Sequence, residues 1–281
     1  APIGTSSRPA AAFASAKARC IYDRSFSMSE ENHNEERIAK RMARAGLCSR
    51  RDAEKWIEAG RVSVNGKKLD SPAFKVSDKD EIIVDGKPIQ GKQPTRLFLY
   101  HKPTGLVTTH KDEKGRATVF DHLPAHLPRV ISIGRLDLNT EGLLLLTNDG
   151  ELARYLELPA TGWKRKYRVR VLGKIKQERL DKLKNGITID GVKYKSIEAE
   201  IDSEQKGANT WVTITLQEGK NREIRRVMEH LNLQVNRLIR ISYGPFNLDK
   251  LPKQSVSEIK PHILKNQLAG YFKAQEKPTK K

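Results

Sequence analysis

The sequence predicts an α+β protein in two domains. A small module of two helices on a small sheet precedes a larger domain whose mixed, largely antiparallel sheet is flanked by helices. Two short helical patterns followed by alternating apolar segments mark the module between Glu35 and Gly86. From Leu97 onward, strand-like runs dominate and only a few helical patterns intervene, the arrangement expected of an α+β domain. A Pro-, Gly- and Gln-rich stretch at 87–95 separates the two parts. At 281 residues the chain is long enough to bury a core without staples.

Residues 1–34 are rich in Ala, Ser and Arg and lack apolar periodicity, so they are expected to be disordered. Met28 opens an ordinary-looking start, "MSEENHNEE", and residues 1–27 read either as an upstream translation product or as a transit peptide. The expected location is therefore the bacterial cytoplasm, with organellar import the other reading. In "NEERIAKRMARAG", Asn34 caps, Glu35 and Glu36 favour the helix start, Ile38 and Met42 share a face, and Gly46 ends the helix. In "SRRDAEKWIEAG", Ser49 caps, Asp52 completes a capping box, Ala53, Trp56 and Ile57 face inward, and Gly60 stops the turn. Val62 and Val64 alternate before an Asn65-Gly66 hairpin turn, and "DEIIVDGKPI" supplies another strand.

The larger domain, 96–262, carries the strand patterns "LFLYHK", "RVISIG", "LLLLTN", "KYRVRVLG", "YKSIEAEI", "TWVTITLQ" and "VNRLIRISYG". Helices are expected at "GELARYLEL", "KQERLDKLKNG" and "NREIRRVMEHLN". Leu143 to Leu146 read as a buried strand, and Asp149 in "NDG" reads as a helix N-cap before it reads as a catalytic acid. The basic tail, 263–281, is expected to be disordered.

The formal net charge is +19, which points to a polyanionic partner and first to nucleic acid. The basic residues lie within folded-looking segments and not along one amphipathic helix, which disfavours a membrane-surface protein. No apolar run is long enough to cross a membrane. Two cysteines and seven histidines without ligand spacing give neither a disulfide framework nor a metal site, so no metal is expected. The small module gathers Arg37, Lys40, Arg41, Arg44, Arg50, Arg51, Lys55 and Arg61, with the Ser49 helix start as a further anion site. A solvated face with i,i+4 pairs would explain one such helix, but two in so basic a chain favour nucleic-acid phosphates.

The segment "RIAKRMARAGLCSRRDAEKWIEAGRVSVNGKKL" resembles an S4 RNA-binding domain, which implies structured RNA and no particular activity. "GRLDLNTEGLLLLTNDGELA" resembles the signature of RsuA/RluB-type pseudouridine synthases. The likeness continues through "YHKPTGLVTTHKDEKGRATVFDHLP", "KYRVRVLG", "LQEGKNREIRRVME" and "VNRLIRISYGPFNL". It implies a cofactor-free isomerisation of uridine to pseudouridine by Asp137, which acts either as nucleophile at C1′ or as the base that removes the C2′ proton. It further implies Tyr167 as a stacking platform for the flipped base, and Arg225, with Arg222 as the close alternative, as the cation beside the carboxylate. Arg135, Lys220, Arg222 and Arg226 are expected against RNA backbone, and Leu216 or Ile214 as the apolar wall under the base. Lys102, in the Lys-Pro-x-Gly element, is structural or RNA-contacting. The details favour the large-subunit branch, so the expected partner is 23S ribosomal RNA or an assembling large-subunit particle, met by a monomer. A noncatalytic S4-type assembly factor is the competing reading, and it leaves the set Asp137, Tyr167 and Arg225 without a reason. A glycosidase-like hydrolase would need two facing acids, and no second one stands out.

Overall fold

The computed structural model describes residues 35–91, 93–202 and 207–276. The N-terminal module opens with β1 (Glu36–Arg37), α1 (Ile38–Arg44) and α2 (Arg50–Glu58), followed by β2 (Val62–Val64), β3 (Lys67–Lys68), β4 (Lys75–Val76), β5 (Ile82–Val84) and β6 (Lys87–Pro88). Ile38, Met42, Ala53 and Ile57 pack on Val62, Val64, Val76 and Ile82, so the two helices do lie on a small sheet, ordered β3-β2-β5-β6. Ser49 caps α2 by accepting from the Asp52 amide at 3.1 Å. Asn65 and Gly66 both have positive φ, as the tight hairpin requires.

Two expectations change here. The first helix starts at Ile38 because Glu36 and Arg37 pair with Val76 and Lys75 as a strand, while Asn34 lies outside the described residues. Residues 87–95 are not all linker either: Lys87 and Pro88 pair with Val84 and Ile83, and Ile89 packs on the module's core.

The larger domain contains β7 (Leu97–Lys102), β8 (Ile131–Ile133), β9 (Glu141–Thr147), α3 (Gly150–Glu157), β10 (Arg165–Leu172) and α4 (Gln177–Asp181). Then follow β11 (Ile187–Ile189), β12 (Val192–Tyr194), β13 (Ile197–Ile201), β14 (Asn209–Leu216), α5 (Glu223–His230), β15 (Gln234–Tyr243), β16 (Phe246–Asn247), β17 (Val256–Glu258), α6 (Pro261–Gln267) and α7 (Ala269–Glu276). The main sheet runs β13-β14-β10-β15-β9-β7-β17, with β8 beside β9 and β16 beside β15. It is antiparallel except at β15 and β9, which run parallel and touch only at Ile239↔Glu141 and Arg240↔Gly142. Beyond Gly142 the two strands part, and β8 takes over that edge of β9 from Leu145 to Thr147. The chain between β8 and β9, residues 134–140, bridges this gap.

Alternation along β9 serves two cores. Leu143 and Leu145 pack with α3, α6, α7, Tyr243 and Phe246, whereas Leu144 and Leu146 pack with Phe98, Tyr100, Leu106, Val119 and Leu136. A third core beneath β10, β14 and β15 is closed by α4 and α5 through Leu180, Ile224, Val227 and Met228. Tyr167 packs against this third core and against the Leu144 cluster, which places it where the two meet. The expected disordered tail is corrected as far as Glu276. There α6 and α7 bury Leu264, Leu268 and Tyr271 against α3 and β9, because their apolar residues match a sheet face that would otherwise meet water. Residues 277–281 lie outside the described residues. Among the described residues no helix is long and apolar enough to cross a membrane.

Candidate active site

Asp137 sits not at a strand end but inside the 134–140 connection, where β15 and β9 diverge. The backbone of this connection is tied at nearly every residue. The Gly134 amide donates to the Glu157 carboxylate at 2.7 Å, and the Thr108 hydroxyl donates to the Leu136 carbonyl at 2.9 Å. The Thr140 amide donates to the Asp137 carbonyl at 3.0 Å, and the Gly105 amide to the Leu138 carbonyl at 2.9 Å. Arg225 Nη2 donates to the Asn139 carbonyl at 2.9 Å. Beneath lies Lys102, fully buried, whose Nζ donates to the carbonyls of Pro103 (3.0 Å), Asp137 (3.1 Å) and Thr140 (3.0 Å). Lys102 is therefore structural and does not line the cleft, which corrects its expected contact with substrate. Burial pushes its ammonium down to about 8, against the pull of Asp137 and Glu141.

The Asp137 carboxylate itself has no hydrogen bond or ion pair among the described residues. The backbone under this carboxylate is thus held firmly while the side chain stays free. It faces a cleft of about 730 Å³ that Tyr167, Arg225, Arg135, Arg222, Lys220 and Leu216 also line. Three segments distant in the chain thus line one cleft. Tyr167 arrives from β10, opposite Ile214 on β14 and Arg240 on β15. Leu216 forms the apolar wall, and Ile214 lies in the core without reaching the cleft. Arg226, exposed on α5, does not line it. Lys220 does, although its Nζ is engaged by Glu218 and by the Lys193 carbonyl.

Burial and the Arg222 charge oppose the protonated state of Arg225 and the Asp137 charge supports it, while its Nε is buried without a partner. Glu223 and Arg240 are cleft residues that the sequence reading passed over. Glu223 opens α5 and accepts from the Lys220 amide at 2.9 Å, yet its Oε1 has no partner, and burial raises its carboxyl to about 7. Arg240 is 2 % exposed. Its sequence signal is a charged residue two positions after Leu238, on the inward face of an alternating strand.

The basic face of the module splits in two. Arg37, Arg50, Arg51, Lys55 and Arg61 are exposed, although Arg61 pairs with Asp85 and lies over Trp56. Arg41 and Arg44 turn away from any phosphate, which corrects their expected role. Arg41 is buried against Glu36 and Asp78, and Arg44 bonds Asp149 and Glu151 at the start of α3, both at 3.2 Å. Lys40 also reaches Glu151. Asp149, buried and capping α3 through the Glu151 amide at 2.9 Å, further accepts from Thr95 (2.6 Å) and Tyr271 (3.0 Å). It joins the module, the interdomain segment, α3 and α7. Burial would raise its pKa, but the Thr95 hydrogen bond and the Arg44 charge outweigh that and hold it low.

A basic cleft that holds the free Asp137 carboxylate beside Tyr167, carried next to a module with exposed cations, fits an RNA-acting enzyme. The sequence matches the RNA pseudouridylate synthase family over residues 96–230 and the S4 domain over 36–82. An uncharacterized RNA pseudouridine synthase of Rickettsia felis is 50% identical over 229 residues, covering 82% of this chain and 99% of that one. A ribosomal large subunit pseudouridine synthase B of Salmonella typhi is 43% identical, covering 80% of this chain and 79% of that one. A solved pseudouridylate synthase shares the fold with a TM-score of 0.58 at 25% identity, covering 80% of this chain and 96% of that one. The chain belongs to the RNA pseudouridine synthase family, whose members isomerise uridine in RNA.

Proposed function

We infer that this chain converts a uridine of 23S large-subunit ribosomal RNA to pseudouridine, with Asp137 as the reacting carboxylate. The observation that carries the reading is the meeting of Asp137, Tyr167 and Arg225 in one cleft, with the Asp137 carboxylate free and its backbone fixed. The choice of large-subunit RNA is supported by relatives bearing that name.

The flipped uracil stacks on Tyr167 with Leu216 as wall. Asp137 then bonds to C1′ as the C1′–N1 bond breaks, or takes the C2′ proton to give a glycal. In either route both electrons of the C1′–N1 bond leave with N1. The base turns, and C5 bonds to C1′ as the Asp137–C1′ bond breaks or, in the glycal route, as Asp137 returns its proton to C2′; the C5 proton is then lost and N1 takes up a proton. Arg225 holds the Asn139 carbonyl behind Asp137 and lends its charge to the carboxylate, and Arg135 and Arg222 hold the flanking backbone at the exposed rim. Arg37, Arg50, Arg51, Lys55 and Arg61 of the module grip structured RNA. The place of action is the bacterial cytoplasm, with a monomer meeting ribosomal RNA or an assembling particle.

Asp137→Asn keeps the shape and removes the charge. It is expected to abolish pseudouridine formation while RNA binding persists. Chemical mapping of pseudouridine in ribosomal RNA from a deletion strain, complemented with wild type or variant, reports activity and target together. Restoration by the variant would overturn the catalytic assignment, and a lost site in small-subunit RNA would overturn the substrate.

A further inference from the structure

Arg240 is a buried cation without a counterion. Its Nε donates to the Leu143 carbonyl at 2.7 Å, its guanidinium lies 5.2 Å from the centroid of the Tyr243 ring, and its Nη2 is buried with no hydrogen-bond partner. No carboxylate pairs with it among the described residues. Arg237, three positions earlier on the same strand, shows the contrast, because Glu141 answers it and is also held by Lys253. Removing a cation from water without an anion costs several kcal/mol. Such a group is retained where something from outside the chain completes it.

Its place says what that partner is. Arg240 lines the same cleft as Asp137 and stands directly across from Tyr167 in the β10–β15 register. The phosphates of a bound strand follow the rim, where Arg135, Lys220 and Arg222 are exposed. A guanidinium sealed at the floor is reached instead by what stacks on Tyr167, the uracil ring. We propose that Arg240 Nη2 donates a hydrogen bond to a uracil carbonyl oxygen and stabilises the negative charge that the base gathers as the C1′–N1 bond breaks. The bond's electron pair goes to N1 and is shared with the ring carbonyls. Arg240 keeps its proton throughout. Its charge is worth most where burial keeps water away and no carboxylate pairs with it, as for an oxyanion-hole donor. The inference rests on the reading of the cleft as a pseudouridine-forming site with Tyr167 under the base.

The test uses the full-length protein and a ribosomal RNA transcript labelled with tritium at uracil C5, whose release reports the new C5–C1′ bond. Arg240→Gln is expected to lower the single-turnover rate by about 100-fold, the loss typical of one removed oxyanion donor, with RNA affinity held within about twofold. Arg240→Lys is expected to retain more activity than the Gln variant. Replacing the target uridine by 5-fluorouridine makes the base a better leaving group, with the rearranged fluoronucleoside read by nuclease digestion and chromatography. The deficit of either variant should then shrink. A merely structural residue would give equal deficits with both bases, together with lowered thermal stability, and that result overturns the inference. A Gln variant as fast as wild type overturns it too. If the Gln variant fails to fold, the leaving-group comparison on the Lys variant decides. Wild-type protein that releases no tritium from ribosomal RNA overturns the functional reading instead, so the two failures are told apart.

Discussion

Burial moves two groups at the site toward their neutral forms, Glu223 by raising its pKa and Lys102 by lowering it. The Glu223 carboxyl is raised from 4.5 to about 7 by burial, so the folded state holds its proton more tightly than the unfolded chain does. Its stabilising contribution is complete below about pH 4.5 and is lost as pH rises through about 7. The loss amounts to roughly 3 kcal/mol at most. Glu223→Gln is expected to flatten this stretch of the stability profile in urea unfolding, and a variant that keeps the wild-type slope would refute the assignment. Lys102, at about 8, loses its charge above that pH, and with it the grip on the carbonyls under Asp137. The single-turnover rate is expected to fall on an alkaline limb with its midpoint near 8, and a flat profile to pH 9.5 would remove Lys102 from that role, with the endpoint set about 1.5 units above the midpoint. Sequence alone named Asp137, Tyr167 and Arg225 but not Glu223 or Arg240. An acid at a helix start and a basic residue in a strand are ordinary until their burial is known.

At the scale of elements, the narrow meeting of β15 with β9 depends on Gly142. Its φ is +106°, and a Cβ there would stand 2.3 Å from the Arg240 carbonyl oxygen, a backbone atom that has no side-chain freedom to yield. Gly142→Ala is expected to cost about 3–5 kcal/mol from combined strain and overpacking, measured by denaturant unfolding. The helices α6 and α7 were not legible as structure, because "PHILKNQLAGYFKAQE" is short, basic and weakly amphipathic. What holds them is a sheet face supplied by distant residues. Leu264→Ala and Leu268→Ala are each expected to destabilise by about 2–5 kcal/mol, whereas a tail without a packing role would show no change.

Across the whole molecule, the exposed and the inward cations of the module should separate in experiment. Arg50→Ala and Arg51→Ala are each expected to lower the salt dependence of RNA binding by about one unit of slope with little effect on stability. Arg44→Ala should do the reverse, because it leaves Asp149 buried with one cation fewer, at a cost of up to about 3–5 kcal/mol. A reduced salt slope in the Arg44 variant without destabilisation would return that residue to the RNA surface. By itself the sequence determined the two-domain α+β plan and the charge that points to a nucleic acid, since periodicity and charge are local properties of the chain, while its likeness to the family singled out Asp137 as the candidate carboxylate. It did not determine which cations are free. Arg41 and Arg44 have the same side chain and the same helical setting as their exposed neighbours, and only the packing of α1 beside Asp78, Asp149 and Glu151 decides that their charge is used inside. The lone guanidinium of Arg240 was decided in the same way. Whether a buried charge finds a partner depends on residues nearly a hundred positions away, and that is a property of the tertiary structure alone.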